Sequence, residues 1–256
     1  LTAKALHVYC VLECRADGDL GLKGVGGNPV YAVSYKDLAV AVSPSPQKYD
    51  LVKDMKAHEV VVERLFSKYT IAPFRFGQHA VSHEDVKGFL VENYKTLKAL
   101  LSKLRGRVEL DLKLFWHVEK VLSRLTREDL TIRVLAKQMA KLSGEEAYSV
   151  KIRLGQLVER KLKELRERIV AKAYDLLSPL SVDFKENQLI TNDMVWNAAF
   201  LVEASAEEEF DKAVEKLYEK YGEILIFKYL RSPPYSFSTI KIGGLKVSAR
   251  PTIPTV

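Results

Sequence analysis

Cysteine is nearly absent: Cys10 and Cys14 are the only two in 256 residues. Both fall in a segment that reads as a strand, where residues four apart on one face are separated by ~13 Å. That is too far for a bridge, so no disulfide scaffold is expected and the thiols read as reduced, cytoplasmic ones. Long hydrophobic runs are missing too. The longest stretch without Asp, Glu, Lys or Arg, Gly24 to Tyr35, is Gly-rich and well short of the ~20 apolar residues of a membrane-spanning helix. The chain begins Leu-Thr-Ala-Lys and turns apolar only over Ala5 to Leu12, with no small-residue cleavage site, so a signal peptide is not expected. Glycine (13) and proline (9) are too scarce for a collagen-like or low-complexity chain. What is present is a globular composition, 47% hydrophobic and 29% charged, with a formal net charge of +7. That charge raises a nucleic-acid hypothesis, although a Lys/Glu-rich solvated surface produces the same balance.

Catalytic and cofactor signatures are also missing. Gly21, Gly24, Gly26 and Gly27 suggest a phosphate cradle, but the dinucleotide-binding spacing needs a glycine where Pro29 stands. The loop also leads into a strand, whereas phosphate binding needs a helix N-terminus. His79 and His83, followed by Glu84 and Asp85, imitate a metal cluster, but no fourth ligand stands at a sensible spacing. His58 falls on an apolar helix face and reads as a hydrogen-bonded core histidine, while His7 and His117 show no partner for a dyad. There is no GxSxG elbow, and neither cysteine sits where its thiol would be activated. The expectation is no enzyme, no cofactor and no metal.

Periodicity gives the elements. Ala5 to Glu13 reads as a strand, Gly18 to Gly27 as a glycine-studded loop, and Pro29–Ser34 with Leu38–Ser43 as a hairpin. Leu51, Met55, His58, Val62 and Leu65 mark one face of a helix. Val86, Phe89, Leu90, Tyr94, Leu97, Leu101 and Leu104 mark the next, opened by a Ser82/Asp85 capping box. From Gly106 the period changes: Val108, Leu110, Leu112, Leu114 and Trp116 alternate with polar residues, a half-buried strand. A long helical stretch, about 118–178, follows, with a break at Ser143-Gly144 and a Ser143/Glu146 box. Short strands at Ser181–Lys185 and Met194–Glu203 precede a helix capped by Ser205/Glu208 and ended by Gly222, expected in the left-handed conformation. A last strand runs from Ile224 to Leu230 and stops at Ser232-Pro233-Pro234.

The fold class is therefore α+β with two domains. Residues 1–105 form an N-terminal α+β domain, and residues 106–256 a modified ferredoxin-like βαββαβ domain with an enlarged helical hairpin and a C-terminal tail. Such a sheet with basic charge also fits a regulatory or RNA-binding module. Its strands Leu110–Trp116 and Val195–Val202, however, lack the aromatic RNA-stacking signature, and the basic residues from Lys151 to Lys172 alternate with Glu159, Glu164 and Glu167 as on a solvated helix face.

Several segments, in order, resemble the gas vesicle protein F/L family, the accessory proteins encoded with the shell protein of gas vesicles. They are Val8-Tyr9, Pro29-Val30-Tyr31, the run Asp37 to Ser43, the helix carrying His58, Pro73-Phe74-Arg75-Phe76-Gly77, Gly106-Arg107-Val108-Glu109, Ala199-Phe200-Leu201-Val202, and Pro233-Pro234-Tyr235-Ser236-Phe237. The family's Gly-Pro-Trp before the last of these is replaced here by Leu230-Arg231-Ser232. The resemblance implies a non-enzymatic protein of the gas vesicle and cytoplasm. Its expected partners are the small hydrophobic shell protein and other gas vesicle accessory proteins, with neither nucleic acid nor membrane.

Two segments are candidates for partner contact. Phe74, Arg75 and Phe76 lie between elements and have the composition of an interface hot spot. Pro233, Pro234, Tyr235 and Phe237 follow the last strand, where the prolines hold the chain extended. The same residues would equally serve to lock the two domains together, and the sequence leaves both readings open.

Overall fold

In the computed structural model, residues 5–15 and 17–238 are described. By contact density they divide into two units, one running to Glu109 and resuming at Arg231, the other spanning Leu110–Leu230. The division falls inside a strand just beyond Gly106. The described residues from Arg231 on, which the sequence reading placed with the second domain, group with the first unit; the rest of the expected tail, residues 239–256, lies outside the described residues.

The first unit contains β1 (Leu6–Glu13), β2 (Gly18–Lys23), β3 (Pro29–Tyr35), β4 (Leu38–Pro44), α1 (Leu51–Phe66), β5 (Ile71–Pro73), β6 (His79–Ala80) and α2 (His83–Leu104). Its sheet runs β2-β3-β4-β1-β5, with β6 also on β1. The pairings of β1 with β4, β5 and β6, and of β3 with β2 and β4, are antiparallel. The hairpin β3–β4 closes on Lys36-Asp37, with Lys36 in the left-handed region at φ 56°. In β1 the register slips between Val8 and Cys10, leaving Tyr9 as an extra residue. A bulge shifts the alternation by one, so Tyr9, Cys10 and Leu12 all reach the same core cluster.

Gly18 to Gly27 is not a loop. It forms the edge strand β2 and a 3-10 turn, Val25–Gly27. A Cβ on Gly24 would lie 1.9 Å from the Tyr9 hydroxyl, so glycine is needed there for close approach. In α1 the expected stripe holds only in part. His58, Val62 and Leu65 are buried, but Leu51 and Met55 are exposed, and Asp54 takes the inward position one turn into the helix. Helix α2 follows expectation: Ser82 accepts from the Asp85 amide, and Val86, Phe89, Leu90, Leu97, Leu101 and Leu104 are buried. Lys98 on α2 bridges Glu13 and Asp37 at 2.9 Å each, fastening the helix to the sheet.

The second unit continues β7 (Arg107–Trp116) and adds α3 (Val118–Glu128), α4 (Leu130–Met139), α5 (Gly144–Leu177), β8 (Asp183–Glu186), β9 (Met194–Glu203), α6 (Glu207–Tyr221) and β10 (Leu225–Ser232). The sheet order is β10-β7-β9-β8. The helical stretch has a second break at Asp129, whose carboxylate accepts from the Thr131 and Ile132 amides and caps α4. Ser143 precedes α5 but makes no side-chain cap bond. Likewise Ser205 sits in a 3-10 turn, and α6 begins after Ala206 without a side-chain cap. Gly222 is right-handed at φ −62°, contrary to expectation. Its small size matters instead, since a Cβ would meet the Tyr218 carbonyl at 2.6 Å. Trp196, Phe200 and Phe210 are fully buried and pack in a row, Phe200 lying edge-on to Trp196 at 5.8 Å and tilted against Phe210 at 5.1 Å. No described helix is long and apolar enough to cross a membrane.

Candidate functional site

The first unit holds a cluster of rings that its sequence separation conceals. β1 supplies His7 and Tyr9, α1 supplies His58, the connection into α1 supplies Tyr49, and the segment after β5 supplies Phe76 and His79. His7 packs edge-on to Tyr9 and His58, with centroids at 4.9 and 5.1 Å. Tyr9 stacks on His58 at 5.3 Å. His7 therefore has the partner that the sequence reading denied it, brought from 51 residues away.

Hydrogen bonding fixes the protons. The Phe74 carbonyl, 3.0 Å from His58 Nε2, can only accept, so that nitrogen donates. Neutral His58 then presents Nδ1 as an acceptor, and His7 Nε2–H donates to it at 2.9 Å. His7 Nδ1 is left to accept from the Tyr49 hydroxyl at 3.3 Å. Tyr49 also lies 3.3 Å from His79 Nδ1, which Ser45 Oγ approaches at 3.2 Å. The rings stay neutral because burial penalises the imidazolium. His7 is pushed down to about 2, with the neighbouring His58 and His79 adding to the effect. His58 is pushed down to about 4 against the opposing pull of the Phe74 carbonyl, and burial also lowers His79.

A second chain of bonds seals the floor. The Tyr9 hydroxyl lies 2.8 Å from Ser43 Oγ and accepts the Val25 amide at 2.9 Å. Burial raises Tyr9 above its ordinary value and carries Tyr49 to about 12, so both stay protonated. Buried Asp54 accepts the Gly26 amide at 2.6 Å and the Asp50 amide at 2.8 Å, holding the 3-10 turn against α1.

The effect of these bonds is mechanical. Phe74 is tied through its carbonyl to His58 and through its amide to the Tyr9 carbonyl at 2.8 Å. Burial raises the Cys10 thiol and disfavours its thiolate. Among the described residues no group of three or more His, Cys, Asp or Glu is arranged to hold a metal ion.

The two candidate segments meet here. Ser238 Oγ donates to the Pro73 carbonyl at 2.8 Å, and the Ser236 amide donates to buried Glu109 at 2.7 Å. Phe74, Pro233, Pro234 and Phe237 are buried. Tyr235 is half-buried against the core cluster of the first unit, where burial raises its hydroxyl. Phe76 is half-buried among His7, Tyr49 and His58, and Arg75 is exposed. Most of the seven side chains thus fill the first unit's interior, and Arg75, Phe76 and Tyr235 retain accessible surface. The residues missed by sequence reasoning are His7, Tyr9, Tyr49 and Asp54. The available signals were an acidic residue on the inward face of α1 and a histidine inside an apolar strand.

The sequence model of the family described as gas vesicle synthesis protein GvpL/GvpF matches residues 5–239. The chain is 30% identical to gas vesicle protein F of Nostoc sp. (strain PCC 7120), across 93% of this chain and 99% of that protein. It is 26% identical to gas vesicle protein F1 of Halobacterium salinarum, across 93% and 95%. The crystal structure of GvpF from Anabaena sp. PCC7120 superposes with a TM-score of 0.78 at 27% identity, covering 93% of this chain and 99% of that one.

Proposed function

The chain belongs to the gas vesicle synthesis protein GvpL/GvpF family, and from that premise we propose that it is a non-enzymatic assembly factor that binds the small hydrophobic shell protein. It is a gas vesicle protein by descent, and it acts at the vesicle in the cytoplasm. Shell subunits with large apolar faces must be kept from aggregating until they are ordered into the wall, and a protein that covers those faces meets the need. The observation that carries the reading is the family match over residues 5–239. The docked pair of segments supports it: Arg75, Phe76 and Tyr235 sit on a backbone pinned by the Ser238–Pro73 and His58–Phe74 bonds. A pinned aromatic and arginine surface loses little entropy on binding.

We also read β7 to β10 as the modified ferredoxin-like plan, with α3 and α4 enlarging its first crossover. The order β10-β7-β9-β8 supports this.

The test is co-purification with the shell protein and with isolated vesicles, for the wild-type chain and for Arg75→Ala and Tyr235→Ala. Arg75→Ala is expected to lose shell-protein pull-down without a change in melting temperature, because its side chain is exposed. A melting loss equal to the binding loss would remove the support for partner contact. Salt-sensitive, submicromolar RNA binding would point instead to a nucleic-acid module.

A further inference from the structure

The second unit has a groove that the family assignment does not use. It runs along α5 in two lobes of about 600 and 560 Å³ that share Lys163 and Arg166. One lobe has Trp116, Leu162 and Met194 in its walls, the other Tyr174, Phe184 and Trp196. The loop before β9 adds Leu189 and Ile190, the latter 74% exposed although apolar.

Three features say what fits. First, the groove's cations face no acid within pairing distance. Lys163 makes no ion pair among the described residues, and the Arg166 guanidinium is spent only on the Val195 carbonyl, through Nε at 2.9 Å. Trp196 Nε1 is likewise buried without an acceptor among the described residues. Second, Glu159 and Glu167 lie one helical turn to either side of Lys163 and line one lobe each, Glu186 lining the same lobe as Glu167. Among the α5 residues that line the groove, the charge order is therefore negative, positive, negative. Third, Gly155 sits inside a 34-residue helix, where glycine costs about 1 kcal/mol relative to alanine. A Cβ there would meet nothing within 4 Å. The fold does not need that glycine, whereas a second helix packing closely on α5 would.

We propose that this groove docks an amphipathic helix of a partner protein. The helix's apolar face carries one carboxylate, with a basic residue one turn away on each side. The carboxylate sits between Lys163 and Arg166, the flanking bases face Glu159 and Glu167, and apolar side chains fill the two lobes. This is helix-in-groove recognition with complementary charge setting the register. It is independent of shell-protein binding by the first unit.

The chain carries its own reporter, because its only two tryptophans, Trp116 and Trp196, stand one in each lobe. The probe is a synthetic Leu/Ala helix of about 20 residues, long enough to be helical alone, with Lys-x3-Glu-x3-Lys on its leucine face. The control exchanges the charges to Glu-x3-Lys-x3-Glu. Titrating the full chain with the first is expected to change tryptophan emission saturably, with the control at least tenfold weaker. Lys163→Glu weakens binding of the first peptide at least tenfold, and Gly155→Leu, whose side chain enters open space, abolishes binding without lowering the melting temperature. Arg75→Ala leaves binding unchanged, which separates this site from the one in the first unit. Equal binding of the two peptides, no saturable change, or wild-type binding by Gly155→Leu overturns the proposal. So does concentration-dependent self-association that Gly155→Leu removes, since the groove would then serve a second copy.

Discussion

Replacing His58 by glutamine tests the buried ring cluster at its centre. Glutamine can still donate to the Phe74 carbonyl, but it cannot titrate. In the folded chain His58 holds a value of about 4, because burial penalises its charged form; unfolded, it returns to about 6.5. A group depressed in this way adds nothing to the pH dependence above the unfolded value. Below it, the unfolded chain binds a proton that the folded chain refuses, so stability falls between pH 6.5 and 4 and then levels off. From pH 6.5 to 4.5 the linkage relation gives a loss of about 2 kcal/mol from this residue alone. The assay is amide hydrogen exchange of β1, which reports opening of the first unit, in wild type and His58→Gln at several pH values. Carboxylates titrating over the same range cancel in the difference. The variant is expected to lose about 2 kcal/mol less than wild type across that interval. If the two profiles run parallel, His58 is not held neutral by burial and the proton assignment of the whole chain from Tyr49 to Phe74 is wrong.

Gly24→Ala places a methyl against the Tyr9 hydroxyl and is expected to cost about 2 kcal/mol or more, read as a fall in denaturation midpoint. An unchanged midpoint would mean that the Val25–Gly27 turn is not seated on Tyr9. Asp54→Asn turns an amide donor toward the Gly26 or Asp50 amide and is expected to cost about 1–3 kcal/mol; thermal melting reads it, and a neutral result would show that Asp54 is solvated. Ser238→Ala removes the bond to the Pro73 carbonyl, for about 1 kcal/mol. Amide exchange at Ser236 and Phe237 should quicken while α6 stays unchanged.

Where one physical signal dominated, the sequence was readable. β9 is apolar over Met194–Val202 except at Asn197, and α2 joins an apolar stripe to a true Ser82 cap, so both stand where the sequence pattern puts them. Failures came where tertiary contacts overrode local pattern. β2 has too many glycines to register as a strand, and only its ladder with β3 makes it one. Leu51 and Met55 continue an ideal stripe, yet the Gly26 and Asp50 amides draw Asp54 inward instead. Ser143 and Ser205 have cap spacing without cap bonds, whereas Asp129, unflagged, caps α4 through two amides. Of the candidate site, the segments at 74–76 and 233–237 were legible as aromatic and proline-rich punctuation. Their joining through Ser238, and the pairing of His7 with His58, depend on contacts 165 and 51 residues apart in the chain, which no local window contains.

Because Tyr235 and Phe237 are packed into the unit that β1 also builds, that unit cannot finish during synthesis until the 231–238 segment has left the ribosome. The intervening segment, contiguous from Leu110 to Leu230, can mature first. A fragment cut at Glu109 would leave the Tyr235 side of its core open to water. Truncations meant to map function onto the first hundred residues therefore need the 231–238 stretch supplied, by circular permutation or as a separate peptide.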